Sequence, residues 1–385
     1  TGLRVLQEGG DAIEAMLASA ATIAVVYPHM NGLGGDNFWL IHEPGCEPVG
    51  IDACGGAAGC ADSAFYHAAG YDAVPARGPM AALTVAGAVS GWQAAIQYSR
   101  QHWGGKFPLG RLFEDAVHYA QKGFPVSQTQ ADNTREKLAE LKPLAGFASV
   151  NLPEGRPPSR GERFRQPALA ATLEKLARNG LDDFYRGRLS CEIAQDLKAV
   201  GSPLTVADLQ RHRPLQVAPL SLTLKGDRLF NMPPPTQGLA SLLLLGIFDR
   251  MGVQKAETFE FVHGLIESTK QAFGVRDRYV TDPSYMSVNP ADFLREAVLQ
   301  EMAGQVNWQK AAPWPREQSA GDTVWLGAAD SSGRMVSFIQ SLYWEFGAGV
   351  VLPQSGITWQ NRGSSFSLDP EHHNCLKPFR RPFPA

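Results

Sequence analysis

In the stretch PREQSAGDTVWLGAADSSGRMVSF a polar run ends in Gly321-Asp322, and a strand pattern starts at once with Thr323. A cut between Asp322 and Thr323 would leave threonine at a new amino terminus. A free α-amine has an ordinary pKa of about 8, so near neutral pH it can accept the proton of its own residue's hydroxyl. One residue would then supply both nucleophile and base, which is the chemistry of acyl transfer. Threonine also suits the first position of a strand, and the local sequence leaves both readings open.

Other candidates for chemistry carry weaker signals. NGLGGDNF, residues 31 to 38, is dense in glycine but lacks GxGxxG spacing, so it reads as a tight turn rather than a phosphate cradle. GAVSG, residues 87 to 91, misses the GxSxG elbow by one position, which makes Ser90 a helix N-cap in front of Trp92 rather than a nucleophile. The histidine pair His372-His373 reads as a surface pair. No HExxH and no helical i, i+4 histidine pair occurs, so no metal site is expected, and no cofactor either. The cysteines, Cys46, Cys54, Cys60, Cys191 and Cys375, are odd in number and form no CxxC, which suits reduced thiols in the cytoplasm.

These candidates must be positioned by a sizeable fold, since 385 residues suffice for two domains or one large layered unit. A net charge of −3 with no basic block argues against nucleic acid and anionic membranes as partners, and no apolar run is long enough to span a bilayer. Apolar spacing predicts helices over residues 3 to 26 (broken at Gly9-Gly10-Asp11), 91 to 103, 111 to 122, 128 to 142, 166 to 180 and 256 to 273. APLSLTLKGDRLFNM reads as a hairpin, PPPTQGLASLLLLGIF as a strand stop followed by a buried helix. After the linker AAPWPREQSAGD come strand, turn and strand, then GVVLPQSGITWQNRG as a second hairpin-like unit. Helices, a hairpin, helices and then strands favour an α+β layered sandwich over a doubly wound sheet. Thr1 in place of Met, and an end at FRRPFPA, lead us to expect residues beyond both ends.

Several segments together resemble the γ-glutamyltransferase family. GLRVLQEGGDAIEAMLASAATIAVVYPHMNGLGGDNFWLIH is similar to that family's opening helix and Gly-Gly turn, and ALTVAGAVSGW to its vPGxvxGw segment. NMPPPTQG resembles xPPPSSGG, RDRYVTDPSYMSV resembles R-x-x-Y-x-G-D-P, and the stretch from Gly321 to Ser367 matches the start of the small subunit. Five motifs stand in the family's order. The resemblance implies an N-terminal-nucleophile hydrolase: a four-layer αββα sandwich whose proenzyme cleaves itself before the nucleophilic threonine, here Thr323. It divides the chain into a large segment, 1 to 322, and a small one, 323 to 385, which stay associated, with a homodimer of that pair as a further expectation.

The resemblance also marks departures. Cys54, in IDACGG, stands where glutamyl-specific members carry an arginine that grips the substrate's α-carboxylate. Ser341 replaces a threonine and keeps a hydroxyl able to bond the nucleophile; Tyr343 replaces an asparagine; Ser365, next to Ser364, replaces an acidic residue. Losing three such contacts argues against γ-glutamyl substrates, because a contact with a charged partner is stronger than a neutral one and fixes orientation. Arg362 could clamp a carboxylate from another direction or bond only loop carbonyls. WQNRGSSFSLDPEHHN is similar to the hydrolase branch of oxamate amidohydrolases and acylases, which implies a small carboxylate-bearing amide such as oxamate as substrate. The family's Gly-Gly oxyanion pair falls after RRPFPA and is expected outside this polypeptide; Gly34-Gly35 does not obviously replace it. A γ-glutamyl transferase or acylase, and a truncated relic without activity, remain the alternatives.

Overall fold

The computed structural model describes residues 1–314 and 323–383. Its centre is a five-stranded antiparallel sheet built from β1 (Asp36–His42), β2 (Val49–Asp52), β3 (Leu215–Val217), β6 (Val324–Ala329) and β7 (Met335–Ser341), in the order β3-β2-β1-β7-β6. A separate hairpin pairs β4 (Leu220–Leu224) with β5 (Asp227–Asn231). The connection from 314 to Thr323, including Asp322, lies outside the described residues.

One face of the sheet is covered by α1 (Ala12–Val26) and α2 (Ala88–Tyr98). Asp11 and Glu14 close the start of α1 as a reciprocal capping box, Oδ1 accepting from Glu14 N and Glu14 Oε2 accepting from Asp11 N. Beyond the cap α1 is mostly alanine on its buried side, which lets a helix lie close against Trp39, Ile41, Val336 and Phe338 of the sheet. Fully buried aromatic side chains of that size supply the largest apolar areas in this core. A second core gathers behind the β4–β5 hairpin, where α3 (Gly238–Arg250) and α4 (Phe259–Tyr279) enclose Leu239, Leu243, Ile247 and Ala272.

The helix expectations hold in outline. Residues 3 to 26 form Gly2–Gln7 and Ala12–Val26, with Gly9 at φ 84° between them; 166 to 180 become Pro167–Asn179. One expectation needs correction. Ser90 is not an N-cap: Gly87 holds that place, and Ser90 sits in the first turn of α2 with its hydroxyl donating to Gly87 O. GVVLPQSGITWQNRG is hairpin-like as expected, with Val351 bridging Thr358 antiparallel and Leu352 N donating to Ile357 O, though it forms no regular strands; Gly34 bridges Trp359. Between the helices of the first two thirds, DNFWLIH and VGID supply two strands of the main sheet, β1 at its centre.

Candidate active site

The register of the sheet aligns several residues whose side chains are capable of chemistry. Asp36 of β1 faces Ser341 of β7. Val324 faces Gln340, so the same antiparallel register continued by one residue sets Thr323 beside Ser341. On the other flank Phe38 faces Asp52, and continuing by two residues brings Cys54 level with Asp36. Residues opposite one another in a sheet project to the same face. Cys54, Asp36, Ser341 and Thr323 therefore form one rung on the face opposite α1 and α2.

Above that rung is a cavity of about 260 Å³. Asp36, Ser341, Thr323, Phe38 and Ile339 line it from the sheet, and Arg362 from the loop after residue 360. Its opposite wall is the turn between β5 and α3, with Asn231, Met232, Thr236, Gln237, Gly238 and Ser241. The glycines of NGLGGDNF explain how two loops reach this place: a Cβ on Gly34 would collide with Thr358 O, and one on Gly35 with Ser341 O. They serve close backbone approach, as a turn does, and Gly35 N–H is spent on Gly32 O at 3.2 Å.

Polar partners are fixed around the rung. Ser341 Oγ accepts from Tyr343 N at 2.8 Å. Arg362 is 4% exposed, and its Nε donates to Asp36 Oδ2 at 3.0 Å and to Gln360 Oε1 at 3.4 Å. Its Nε thus meets a buried carboxylate. Burial pushes the Asp36 carboxyl above its ordinary range, against the opposing pull of Arg362 and of the N–H groups of Gly87 and Gly55.

The remaining expected site residues stand behind the wall. Cys54 is buried with Phe38 and Met232, two lining residues, and burial holds its thiol well above the usual range, so it is a neutral, apolar-packed group. It makes no cavity contact of the kind an arginine there would. Tyr343 lies with its ring 5.3 Å from the Arg362 guanidinium and stacks on Trp344; it adopts φ 82°. It braces Arg362 rather than filling the cavity. Ser364 and Ser365 belong to the short turn Arg362–Ser365, where Ser365 Oγ donates to Arg362 O at 2.9 Å, and neither lines the cavity.

Sequence reasoning missed Asp36, Asn231, Thr236, Gln237 and Ser241. Asn231, Thr236 and Gln237 sit inside NMPPPTQG, read as a strand stop and as a family-like motif, so the signal was present but its role was not. Asp36 was hidden in a glycine-rich turn. Among the described residues no cluster of three or more His, Cys, Asp or Glu could hold a metal ion, and no helix is long and apolar enough to cross a membrane.

The gamma-glutamyltranspeptidase family model matches residues 1–385. The chain belongs to this family. Within it, the chain is 51% identical over 383 residues to the oxamate amidohydrolase proenzyme of Klebsiella pneumoniae, covering 100% of this chain and 72% of that protein. It is 37% identical to the glutathione hydrolase-like YwrD proenzyme of Bacillus subtilis, covering 99% and 72%. Among solved structures it superposes on cephalosporin acylase from Bacillus halodurans with a TM-score of 0.90 at 34% identity, over 100% of this chain and 71% of that one. This family member is an α+β N-terminal-nucleophile hydrolase by fold and an amidohydrolase by relationship.

Proposed function

We propose that the chain is a self-processing amidohydrolase whose nucleophile is Thr323 and whose substrate is a small amide bearing a carboxylate, such as oxamate. The observation that carries this reading is that Thr323, Ser341 and Arg362 line one cavity together. The similarity to an oxamate amidohydrolase proenzyme supports the substrate class. Cleavage between Asp322 and Thr323 leaves a large segment, 1 to 322, and a small one beginning at Thr323. The seven-residue pairing of β1 with β7 then joins the two segments without a covalent bond, so they stay associated.

In the proposed reaction Thr323 Oγ attacks the amide carbonyl while the Thr323 amine accepts the hydroxyl proton. The C–N bond breaks, the amine's proton passes to the leaving nitrogen, and ammonia departs from an ester intermediate. Water, activated by the same amine, hydrolyses the ester and regenerates Thr323; oxamate and water thus give oxalate and ammonia. Ser341, whose Oγ already accepts Tyr343 N–H, directs its own O–H toward the nucleophile. Arg362 holds the carboxylate end, and the small cavity favours a short acid.

Intact mass under denaturing conditions, with amino-terminal sequencing, tests the reading. A fragment beginning Thr-Val-Trp and ammonia release from oxamate are expected. A chain that stays uncleaved and releases no ammonia would overturn it.

A further inference from the structure

The Asp36 carboxylate meets more donors than an uncharged side chain of its shape can satisfy. Oδ1 accepts from Gly87 N at 2.8 Å and Gly55 N at 3.1 Å, and Oδ2 from Arg362 Nε at 3.0 Å. An amide in its place has one oxygen, so its NH₂ would face either the backbone donors or Arg362. Both backbone donors come from glycines that cannot be enlarged, because a Cβ on Gly55 would strike Val85 O and one on Gly87 would strike Ala53 O. The carboxylate is thereby held from two separate loops. Its side chain is fully buried, and that of Arg362 is 5% exposed, yet both residues border the cavity. On its other flanks Arg362 meets the Tyr343 ring and Gln360 Oε1.

We propose that Asp36 is a positioning residue: it fixes the guanidinium of Arg362 at the cavity wall and so makes the site select amides whose acyl group carries a carboxylate. This rests on the carboxylate reading given under Proposed function. Asp36 does not touch the reacting atoms. It acts through Arg362, whose orientation decides whether a planar anion meets a matching planar cation.

Calorimetric titration of the self-cleaved protein with oxalate, and with neutral oxamide as a matched probe, tests the inference alongside KM and kcat for oxamate. The wild type is expected to bind oxalate about tenfold or more tightly than oxamide; equal binding would sink the carboxylate reading itself. Given that preference, Asp36→Asn should weaken oxalate about tenfold or more, leave oxamide within about twofold, and raise KM for oxamate with kcat within about threefold. Asp36→Glu, which keeps the charge, should recover part of the loss. Should Asp36→Asn fail to fold because Arg362 is left buried without its counter-charge, the double variant Asp36→Asn/Arg362→Gln removes both charges together. It should bind oxalate and oxamide alike. An Asp36→Asn protein that keeps its oxalate affinity within about twofold would overturn the role of Asp36 and leave the carboxylate reading standing; a folded double variant that keeps its discrimination would overturn Arg362 as the carboxylate's partner, and the role of Asp36 with it.

Discussion

The two faces of the main sheet use the same strands for opposite purposes. On β7, Phe338 points into the helix-covered core and is fully buried, while its neighbour Ile339 borders the cavity and is 38% exposed. One residue further, Gln340 returns to the covered side, where its Oε1 accepts from Trp92 Nε1 at 2.8 Å and Asn37 Nδ2 at 3.1 Å. Ser341 then faces the cavity. The period of two along a strand thus alternates packing with chemistry. On the covered face even the polar groups are spent internally. On the other, the acid, the hydroxyls and the guanidinium border a space large enough for a small molecule.

The sharpest way to break this comparison is at the edge of the open face. Thr323→Ala removes the hydroxyl, and both self-cleavage and amide hydrolysis should fall by about a thousandfold or more, with the unprocessed chain remaining folded. Mass analysis and ammonia assays check it, and wild-type turnover in this variant would move the nucleophile elsewhere. On the covered face, Phe338→Ala should cost about 3–5 kcal/mol of stability by opening a cavity against α1. Trp325→Ala, on the opposite face and 65% exposed, should change stability by about 0.5 kcal/mol or less. Urea unfolding of the two variants side by side measures the difference. Equal losses would mean that the faces are not distinguished in this way.

That alternation also explains how far the sequence could be read. The amphipathic helices were legible because their polar faces meet water; residues 166 to 180 became Pro167–Asn179 within a residue at each end. β1 was not, because Phe38, Trp39 and Ile41 are all buried and a strand covered on both sides loses the alternating pattern that would have revealed it. At the site, motif resemblance pointed to Thr323, Ser341 and Arg362; the register sets the first two side by side, and Arg362 reaches the same cavity from a loop. Asp36 was not, since nothing local shows that a carboxylate in a glycine turn will meet an arginine 326 positions away. Ser90 was misread for a nearer reason: Gly87, three residues before it, holds the cap, and its carbonyl takes the Ser90 hydroxyl.

Ser341 offers a milder test on the open face. Ser341→Ala should lower kcat about tenfold or more with a smaller change in KM, because in the proposed reaction the hydroxyl bonds the nucleophile rather than the carboxylate end of the substrate. A change confined to KM would reassign it to binding. Ser341→Thr, which restores the hydroxyl, should recover activity.

The smallest effect expected is one of pH on the covered side. Burial, together with the positive charges of Arg186, Arg213 and Arg381, depresses the pKa of His212 from its ordinary 6.5 to about 3. Between those values the unfolded chain binds a proton that the folded chain refuses, so this contribution to stability is complete above pH about 6.5 and lost progressively as pH falls toward 3. Asp52 behaves in the opposite sense: burial raises it from 3.8 to about 6 despite Arg381, so the folded chain holds a proton there and stability falls as pH rises through that window. His212→Gln should therefore flatten the acid side of a plot of melting temperature against pH. Asp52→Asn should steepen it between pH about 4 and 6 by removing the opposing group. If His212→Gln left the acid slope unchanged, the imidazole would have to be reaching water. The Ser90 hydroxyl already donates to Gly87 O and so takes its second bond from His212 Nε2–H, which fixes the tautomer of the neutral ring that burial favours.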